Sequence, residues 1–388
     1  MPEVLNTHSP LGASGASRWM VCPGSVSLGQ ELKDEQGDTY SSLGIAAHGL
    51  AANCLHTGQD AWGSIGDCIN GVDVDKDMAD AVQVYLDFLR PCMNEHGSFL
   101  WIEQRFHCPS IHEFFYGTVD HADFWDKTRI LNVNDYKHGA GIVVEAQWNP
   151  QCLYYACGIM ELYDLWNKVD LITVGIIQPR AFHPDGPIRR WSISTEELKD
   201  WLWSTLVPAM NRALTSTDTK SGEHCRFCPV IRRACPQVIK DMEELEAIMK
   251  IITNTAAELS NEQVGRFLDL LQIAKMVGKA AEETAFSRLN AGQSVPGYKL
   301  ASARANRIWK DKAEEELKKV FGDKAYETKL KSPAQIEALP LGKAEATKWA
   351  FKPEAGLVVV KSEDLRQGVN KDVKSMFQDT TKQRRKSK

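Results

Sequence analysis

The chain has 388 residues, of which 43% are apolar and 25% are charged, as in a water-soluble globular protein long enough for two or three domains. No apolar run approaches the length of a membrane-spanning helix, and no basic segment followed by an apolar stretch opens the chain, so we expect a cytoplasmic protein without a secretory signal. The net charge of −5 divides into −10 over residues 1–240 and +5 over residues 241–388. The second part is therefore the more plausible one to contact a nucleic-acid backbone.

The first regular elements in the chain are predicted to be two helices that follow an irregular segment over residues 1–37. Small residues at helical spacing predict the first helix over residues 42–55, and apolar residues at the same spacing predict the second over residues 76–94. A loop is expected between them. Aromatic and β-branched residues bounded by Gly or Pro then predict four strands, over residues 99–106, 113–125, 128–136 and 141–147.

Helices and strands alternate in the part of the chain that follows. Asn149-Pro150 predicts the start of a helix that runs to about residue 166, and strands are expected over residues 170–178 and 189–193. Ser194-Thr195 is a cap for a helix over residues 196–214, with Thr195 and Leu198 in place of the usual acidic capping-box partner. The order predicts an α/β fold with a mixed central sheet flanked by helices.

The remaining chain is expected to form an extension of this core. Residues 241–295 are predicted to be a helical segment, and residues 296–370 a small basic α+β domain in which Ser332-Pro333-Ala334-Gln335 begins a helix. Residues 371–388 are predicted to be a disordered basic tail.

Asp120, Asp135 and Lys137 are the candidate residues for catalysis. Side chains alternate across a strand, so Asp135 and Lys137, two positions apart, point to the same face, and a hairpin brings Asp120 to that face as well. Two carboxylates can hold Mg²⁺ or Mn²⁺, and the lysine can orient or deprotonate the attacking water. By itself Asp-x-Lys is a weak signal, since a solvated ion pair on a surface strand gives the same pattern.

Three other features strengthen this interpretation. Gly117, just before Asp120, is a position without a side chain at which backbone or substrate can approach closely. His48 lies on a helix lined with small residues. Gln151 and Tyr155 are four residues apart, and therefore on one helical face, directly after the Asp-x-Lys strand.

This ordered set of residues resembles the RecB-like branch of the PD-(D/E)XK nuclease superfamily, whose core has a restriction-endonuclease-like fold. The resemblance implies one nuclease domain over residues 1–240. That branch has a Gly-x-x-x-His helix, an Asp after Gly-x-x, Asp/Glu-x-Lys and Gln-x-x-x-Tyr, here Gly44 to His48, Asp120, Asp135 to Lys137, and Gln151 to Tyr155.

The resemblance also implies roles for these residues. His48, Asp120 and Asp135 would be metal ligands, and Lys137 would activate water. Lys137 acts as a base if burial near the metal lowers its pKa, and stabilises the transition state if it stays charged. Gln151 and Tyr155 would position DNA or the lysine. Glu103 either supports the metal from a neighbouring strand or lies on the surface.

The cysteines suggest a second metal site. In a cytoplasmic protein the ten cysteines argue against a disulfide framework. Cys225, Cys228 and Cys235 bring three soft thiolates into one loop, which suits Zn²⁺ or an iron–sulfur cluster. Cys22 is the preferred fourth ligand, because it is followed by proline as Cys228 and Cys235 are. The alternative, His224, is adjacent to Cys225 and would have difficulty converging on the same ion.

The arrangement of one cysteine before the core and three after it resembles that of the iron-staple nucleases, namely AddB-type helicase-nucleases and the iron–sulfur CRISPR-associated nucleases. This resemblance implies a [4Fe–4S] cluster that ties the ends of the domain together, with Zn²⁺ as the alternative. The Arg18-Trp-x-x-Cys-Pro-Gly-Ser opening and the segments at 297–300 and 306–309 also look like an uncharacterised phage and prophage family of nuclease-like proteins.

The leading functional hypothesis is a Mg²⁺- or Mn²⁺-dependent deoxyribonuclease, an exonuclease of phage or prophage DNA recombination, replication or repair. Its partners would be single- or double-stranded DNA, and phage recombination or single-strand-binding proteins. The alternative is a catalytically silent protein that keeps the fold and binds DNA or a recombination partner through its basic C-terminal half. A redox or regulatory module built around the cluster is a third hypothesis, which only the cysteines support.

Overall fold

The computed structural model of the chain describes residues 9–30, 39–95, 99–232, 235–254 and 259–300. The chain divides into two compact units, Met1–Ala301 and Ser302–Lys388, and every described residue belongs to the first. Nearly all of the predicted α+β domain and the whole of the predicted tail lie outside the described residues. The domain boundary at residue 240 stays a prediction.

Helices dominate the first part of the described chain. The segment predicted to be irregular contains two short helices, and the two predicted longer helices are present with slightly wider bounds. A two-stranded hairpin lies in the predicted loop between them. In chain order these elements are α1 Ala16–Trp19, α2 Gly24–Gln30, α3 Thr39–Thr57, β1 Cys68–Ile69, β2 Val72–Asp73 and α4 Lys76–Glu95.

A five-stranded sheet forms the centre of the fold. Its strands are β3 Phe99–His107, β4 Tyr116–Trp125, β5 Ile130–Tyr136, β6 Leu171–Ile177 and β7 Ile188–Ser194. They lie side by side in chain order, and all neighbours are antiparallel except β5 and β6, which are parallel. The crossover between β5 and β6 contains α5, Pro150–Leu162. The predicted mixed central sheet of an α/β fold flanked by helices is confirmed.

Helix α5 covers one face of the sheet in the main apolar core, in which Leu131 and Val133 of β5 are fully buried. Two glycines allow the close contact around Phe106 of β3. A Cβ atom on Gly158 of α5 would lie 2.4 Å from the Phe106 ring, and one on Gly117 of β4 would lie 3.3 Å from it. The approach expected at Gly117 is therefore made by a phenylalanine side chain of the protein.

Helices α3 and α4 cover the opposite face of the sheet. Their apolar side chains form a second core with Tyr136 of β5 and Ile177 of β6, both fully buried. Because side chains alternate along β5, Tyr136 points towards α3 while its neighbour Asp135 points towards α5. The end of β5 therefore contacts both helical layers.

The strand predicted over residues 141–147 was wrong. These residues form a loop between β5 and α5, and the side chain of Gln178 replaces a neighbouring strand. Its amide nitrogen donates to the carbonyl oxygens of Gly139 and Ile142, and its oxygen accepts from the backbone N–H of Val144. A side chain that follows directly after β6 satisfies the polar backbone groups of the loop without a strand ladder, and strand periodicity does not reveal such a contact.

The helices after the sheet lie where they were predicted, but the prediction that Thr195 and Leu198 replace the acidic partner of the cap was wrong. Ser194 caps α6, Thr195–Asp200, in a full capping box, and the acidic partner is Glu197. A π-helical turn, Trp201–Leu206, leads into α7, Val207–Thr215. The predicted helical segment corresponds to α8, Pro236–Asn254, and α9, Asn261–Asn290. Over the described residues, no helix combines the length and apolar character needed to cross a bilayer.

Candidate functional site

Three carboxylate residues lie in a row across β3, β4 and β5. The β3–β4 register pairs Ile102 with His121 and Gln104 with Val119, which places Glu103 opposite Asp120.

The β4–β5 register brings the third carboxylate into line. His121 pairs with Asn134, so continuing the register places Asp120 opposite Asp135. The row crosses the sheet near the end where β5 leads into the loop before α5. Residues separated by up to 32 positions in the chain thus share one site.

His48 completes a compact group of possible metal ligands. Ligand atoms of His48, Glu103 and Asp120 all lie within 4.8 Å of one another, and they are the one such set among the described residues. The His48 Nδ1 atom lies 3.4 Å from Asp120 Oδ2. One imidazole nitrogen and two carboxylates are ligands that suit Mn²⁺ and, through their oxygens, Mg²⁺. The residues therefore fit a divalent cation.

The backbone at Glu103 supports a special role for this residue. Its φ angle is +49°, in the left-handed region that residues with a side chain seldom adopt. Strain of this kind persists where the surrounding structure imposes it and clusters at functional sites. From the sequence, Glu103 could be either a metal ligand or a surface residue. The side chain is exposed, yet it contributes to the ligand group.

Asp135 lies beside this group but is not part of it. Its Oδ1 atom accepts a hydrogen bond of 2.9 Å from Gln151 Nε2, and its Oδ2 atom lies 2.9 Å from Lys137 Nζ. The Oδ2 atom is buried and has no hydrogen bond of good geometry, so its contact with the lysine is an ion pair. The predicted role of Asp135 as a metal ligand stays a prediction, and in this geometry its nearest partners are protein groups.

Gln151 connects Asp135, Lys137 and Tyr155. Its oxygen accepts from Lys137 Nζ at 2.8 Å, and its nitrogen donates to Tyr155 Oη at 3.0 Å as well as to Asp135. The helix start fixes its position, because the Asn149 side chain accepts from the backbone N–H of Gln151 at 3.0 Å. The predicted pair on one face of α5 thus lies against the Asp-x-Lys segment.

Negative charge is in excess at this site, and the pKa values reflect it. Although Glu103 as a residue is exposed, its carboxylate is partly shielded from water by neighbouring protein atoms, and this desolvation, followed by repulsion from Asp120, raises its pKa to about 7. Burial also raises the pKa of Asp135, against the effect of Lys137. Carboxylates that repel one another hold protons tightly, and a divalent cation could replace those protons.

Lys137 does not have the lowered pKa expected of a general base. Burial lowers its pKa, but the carboxylate of Asp135, and then that of Asp120, outweigh burial and raise it. In the metal-free protein Lys137 is therefore positively charged at neutral pH.

Several neighbours of the site were not predicted from the sequence. The backbone N–H of Tyr136 donates to Asp120 Oδ2 at 3.0 Å, and the ring of Tyr136 packs edge-on against His48 with centroids 5.5 Å apart. The Tyr136 hydroxyl lies 2.9 Å from His138 Nδ1, and Arg180 Nη1 lies 2.7 Å from His138 Nε2. The signal available in the sequence was the alternation along β5, which places Tyr136 and His138 together on the face opposite Asp135.

The four predicted cysteine ligands line one small pocket of about 10 Å³. Cys22, Cys225, Cys228 and Cys235 are all buried, although they come from the two ends of the predicted domain. The backbone N–H of Lys220 approaches Cys22 Sγ at 3.4 Å, which fastens the first cysteine to the loop before the others.

The glycine of the Cys-Pro-Gly-Ser segment explains how the two chain ends come together. The N–H of Gly24 donates to the carbonyl oxygen of Asp218 at 2.8 Å. A Cβ atom at this position would lie 2.4 Å from the carbonyl oxygen of Thr217, so only glycine fits. This contact holds Cys22 close to the three-cysteine loop.

His224 is less suited than Cys22 to be the fourth ligand. Its Nε2 atom lies 2.8 Å from the carbonyl oxygen of Lys220, which it can bond as a donor. The pKa of His224 is raised, chiefly by its hydrogen bond with the neighbouring Cys225. Both ring nitrogens therefore have protein partners.

The spacing of the sulfur atoms bears on the kind of metal group. A tetrahedral zinc site with bonds of about 2.3 Å requires sulfurs about 3.8 Å apart. Among the described residues, no three cysteine sulfurs lie within 4.8 Å of one another, since the His48 group alone meets that limit. The four thiols are therefore not preassembled as a tetrahedral zinc site in the metal-free protein.

Arg18 is a further residue near the cysteines that the sequence did not single out. Burial raises the pKa of the Cys228 thiol, whereas the backbone at Val230 and the charge of Arg18 lower it. The Arg18 guanidinium donates to Ser25 Oγ at 2.9 Å, within the same N-terminal segment. A fixed positive charge favours thiolates, which are the form that binds metal.

Comparison with known proteins identifies the family of the chain. A family model described as "Protein of unknown function (DUF2800)" matches residues 8–367. The match covers both the carboxylate site and the cysteine pocket, and it agrees with the expectation of an uncharacterised family that spans most of the chain. The RecB-like resemblance is not tested by this match. The chain belongs to the DUF2800 family.

Proposed function

We propose that this protein is a metal-dependent deoxyribonuclease with a RecB-like PD-(D/E)XK core. The observation that carries the proposal is the convergence of separate sequence motifs on one site. His48 from α3, Asp120 from β4, and Gln151 from α5 all meet at the Asp135–Lys137 segment. A chance ion pair on a surface strand does not account for a histidine, three carboxylates and a glutamine bridge around it.

His48, Glu103 and Asp120 would hold Mg²⁺ or Mn²⁺. When bound, the cation supplies Lewis-acid activation of water and stabilises the charge that develops on the phosphate. The carboxylates that repel one another in the metal-free protein are the ones this cation would neutralise.

The remaining residues orient the reacting groups. The charged Lys137 amine lies beside the carboxylates, where it can stabilise negative charge on a phosphodiester oxygen. Gln151 accepts from Lys137 and donates to Asp135, so it fixes the position of the amine. Tyr155 accepts a hydrogen bond from Gln151, which limits the freedom of that amide.

We also propose that Cys22, Cys225, Cys228 and Cys235 hold a [4Fe–4S] cluster rather than zinc. The burial of the four cysteines around one pocket supports a shared metal site, and the resemblance to the iron-staple nucleases favours the cluster over zinc. Its role would be structural, because it would join the segment before α3 to the segment after α7. The proposed setting is phage or prophage DNA recombination, replication or repair.

End-labelled single- and double-stranded DNA, incubated with anaerobically purified protein and Mg²⁺ or Mn²⁺, provides the test. We expect Asp120→Ala and Lys137→Ala to lower the cleavage rate about 100-fold or more, as loss of a transition-state contact typically does. Asp126→Ala and Lys127→Ala are matched controls, since both residues are exposed in the turn between β4 and β5, and they should cleave normally.

The outcomes separate this proposal from the alternative. Cleavage by Asp120→Ala and Lys137→Ala at the rate of the controls would refute the site. If the wild-type protein binds DNA but none of the forms cleaves it, the catalytically silent binding protein is the better description.

A further inference from the structure

The loop between β6 and β7, residues 178–187, displays an aromatic side chain to solvent. Phe182 is 88% exposed, whereas its neighbour Ala181 is only 6% exposed. Single exposed apolar residues are common on protein surfaces. The position and the rigidity of this loop are what distinguish Phe182.

The loop begins beside the proposed catalytic lysine. Strands β5 and β6 are parallel, and the last register pair joins Tyr136 to Ile177. The backbone N–H of Lys137 then donates to the carbonyl oxygen of Ile177 at 2.8 Å. The chain leaves β6 at this point, so the loop that carries Phe182 starts at the end of the sheet where Lys137 lies.

Two buried polar side chains hold the loop in place. Gln178 is 1% exposed and Arg189 is 5% exposed. The Arg189 guanidinium donates to the carbonyl oxygens of Val144 and Gly186 and to the Gln178 side chain, at 2.8–3.2 Å. Burying an arginine is costly unless its donors are satisfied, and here they fasten both ends of the loop to the segment between β5 and α5.

A second connection runs from the loop towards the ligand group. Arg180 can only donate, so His138 accepts at Nε2 and carries its hydrogen on Nδ1, which faces the Tyr136 hydroxyl. Burial first, and then Arg180, lower the pKa of His138 to about 4, in keeping with a neutral ring. Tyr136 in turn donates from its backbone to Asp120. The loop and the metal site are thus parts of one network of hydrogen bonds.

The charges around Phe182 are mixed, and they include the exposed Arg180 two positions before it. Glu145 and Asp185 are exposed beside the loop, and His183 lies 3.2 Å from Glu145 Oε1 and 3.9 Å from Asp185 Oδ2. Carboxylates repel a phosphate backbone, but the face of a nucleic-acid base is uncharged. An aromatic ring on a rigid loop loses little conformational freedom when a base stacks on it.

We propose that Phe182 stacks on an unpaired base of a single-stranded nucleic acid next to the carboxylate site. This inference rests on the proposed nuclease function and narrows it, because an unpaired base is available in a single strand or at a frayed end but not inside a duplex.

Binding of a single-stranded oligodeoxynucleotide that contains 2-aminopurine tests this contact. The titration uses the full-length protein with Ca²⁺, which takes oxygen ligands without the octahedral geometry of Mg²⁺. We expect Phe182→Ala to weaken binding about tenfold, since loss of one stacked base typically costs about 1–3 kcal/mol. Phe182→Trp should bind at least as tightly as wild type.

Trp203→Ala is the matched control, because Trp203 is also an exposed aromatic residue but lies in the π-helical turn before α7. It should bind as wild type does. Phe182 is so exposed that its replacement should leave the melting temperature unchanged, which a thermal scan verifies.

The results distinguish this inference from the proposed function. Equal affinity of wild type and Phe182→Ala, with wild type active in cleavage, refutes the stacking contact and leaves the nuclease proposal intact. Weaker binding by Phe182→Ala supports the contact even if no form cleaves DNA. A wild-type protein that cleaves double-stranded DNA but does not bind single strands refutes the stacking contact alone, and one that neither binds nor cleaves either form overturns both.

Discussion

Replacing Glu103 with glutamine should remove a large part of the pH dependence of metal binding at the carboxylate site. A metal ion binds the deprotonated carboxylate, so below the pKa of Glu103 it must displace a proton. With that pKa at about 7, the fraction of Glu103 ready to bind rises about 25-fold between about pH 5.5 and about pH 7.5. Between these two pH values, the Mn²⁺ affinity of the wild-type protein should therefore rise by a factor about 25 times larger than the affinity of Glu103→Gln does.

Isothermal titration of the metal-free protein with Mn²⁺ at several pH values measures this difference. Buffers with different ionisation enthalpies report the number of protons released, which should be smaller in Glu103→Gln. Glu113→Gln, a change at an exposed glutamate in the loop after β3, is the matched control and should behave as wild type. If Glu103→Gln shows the wild-type pH dependence, Glu103 is not a ligand that titrates near neutrality.

The same raised pKa has a consequence for stability. The folded-state pKa of Glu103 lies above its ordinary value of 4.5, so the folded protein holds this proton more tightly than the unfolded chain. The resulting stabilisation is fully present below about pH 4.5 and is lost as the pH rises through about 7. In thermal scans without metal, Glu103→Gln should lack this loss, and added Mn²⁺ should raise the melting temperature more at about pH 7.5 than at about pH 5.5.

Two further predictions concern packing and the cysteine pocket. Gly158→Ala should lower the free energy of unfolding by about 1–3 kcal/mol, because the new methyl group would overlap the Phe106 ring. Gly265→Ala, at a helical position with open space around it, should raise the free energy of unfolding by up to about 1 kcal/mol. Chemical denaturation measures both changes, and an equal effect at the two sites would contradict the packing described. Cys22→Ser should abolish the visible absorbance and iron content of the anaerobically purified protein, while Cys68→Ser, at an exposed cysteine, should keep them; a colourless wild-type protein containing zinc would refute the cluster.

The sequence by itself determined the local part of the fold and the identity of several site residues. Strand alternation placed Asp135 and Lys137 on one face, and their atoms are 2.9 Å apart. Helical spacing placed Gln151 and Tyr155 together, and a hydrogen bond of 3.0 Å joins them. Such relations depend on the geometry of one strand or one helix, which the order of residues fixes.

Other features depend on which elements pack together, and the tertiary structure alone decided them. Glu103 enters the ligand group because the β3–β4 register places it opposite Asp120. The segment over 141–147 forms a loop because Gln178, more than thirty residues away, satisfies its backbone.

The charged state of Lys137 also depends on which strands pack together. Burial by itself would lower the pKa of Lys137, and the carboxylates that outweigh burial come from two strands. Asp120 and Asp135, which hold the Lys137 amine in its charged form, are neighbours through the β4–β5 pairing and not through the chain. Periodicity predicts where a side chain points, whereas register and long-range hydrogen bonds determine what it meets there.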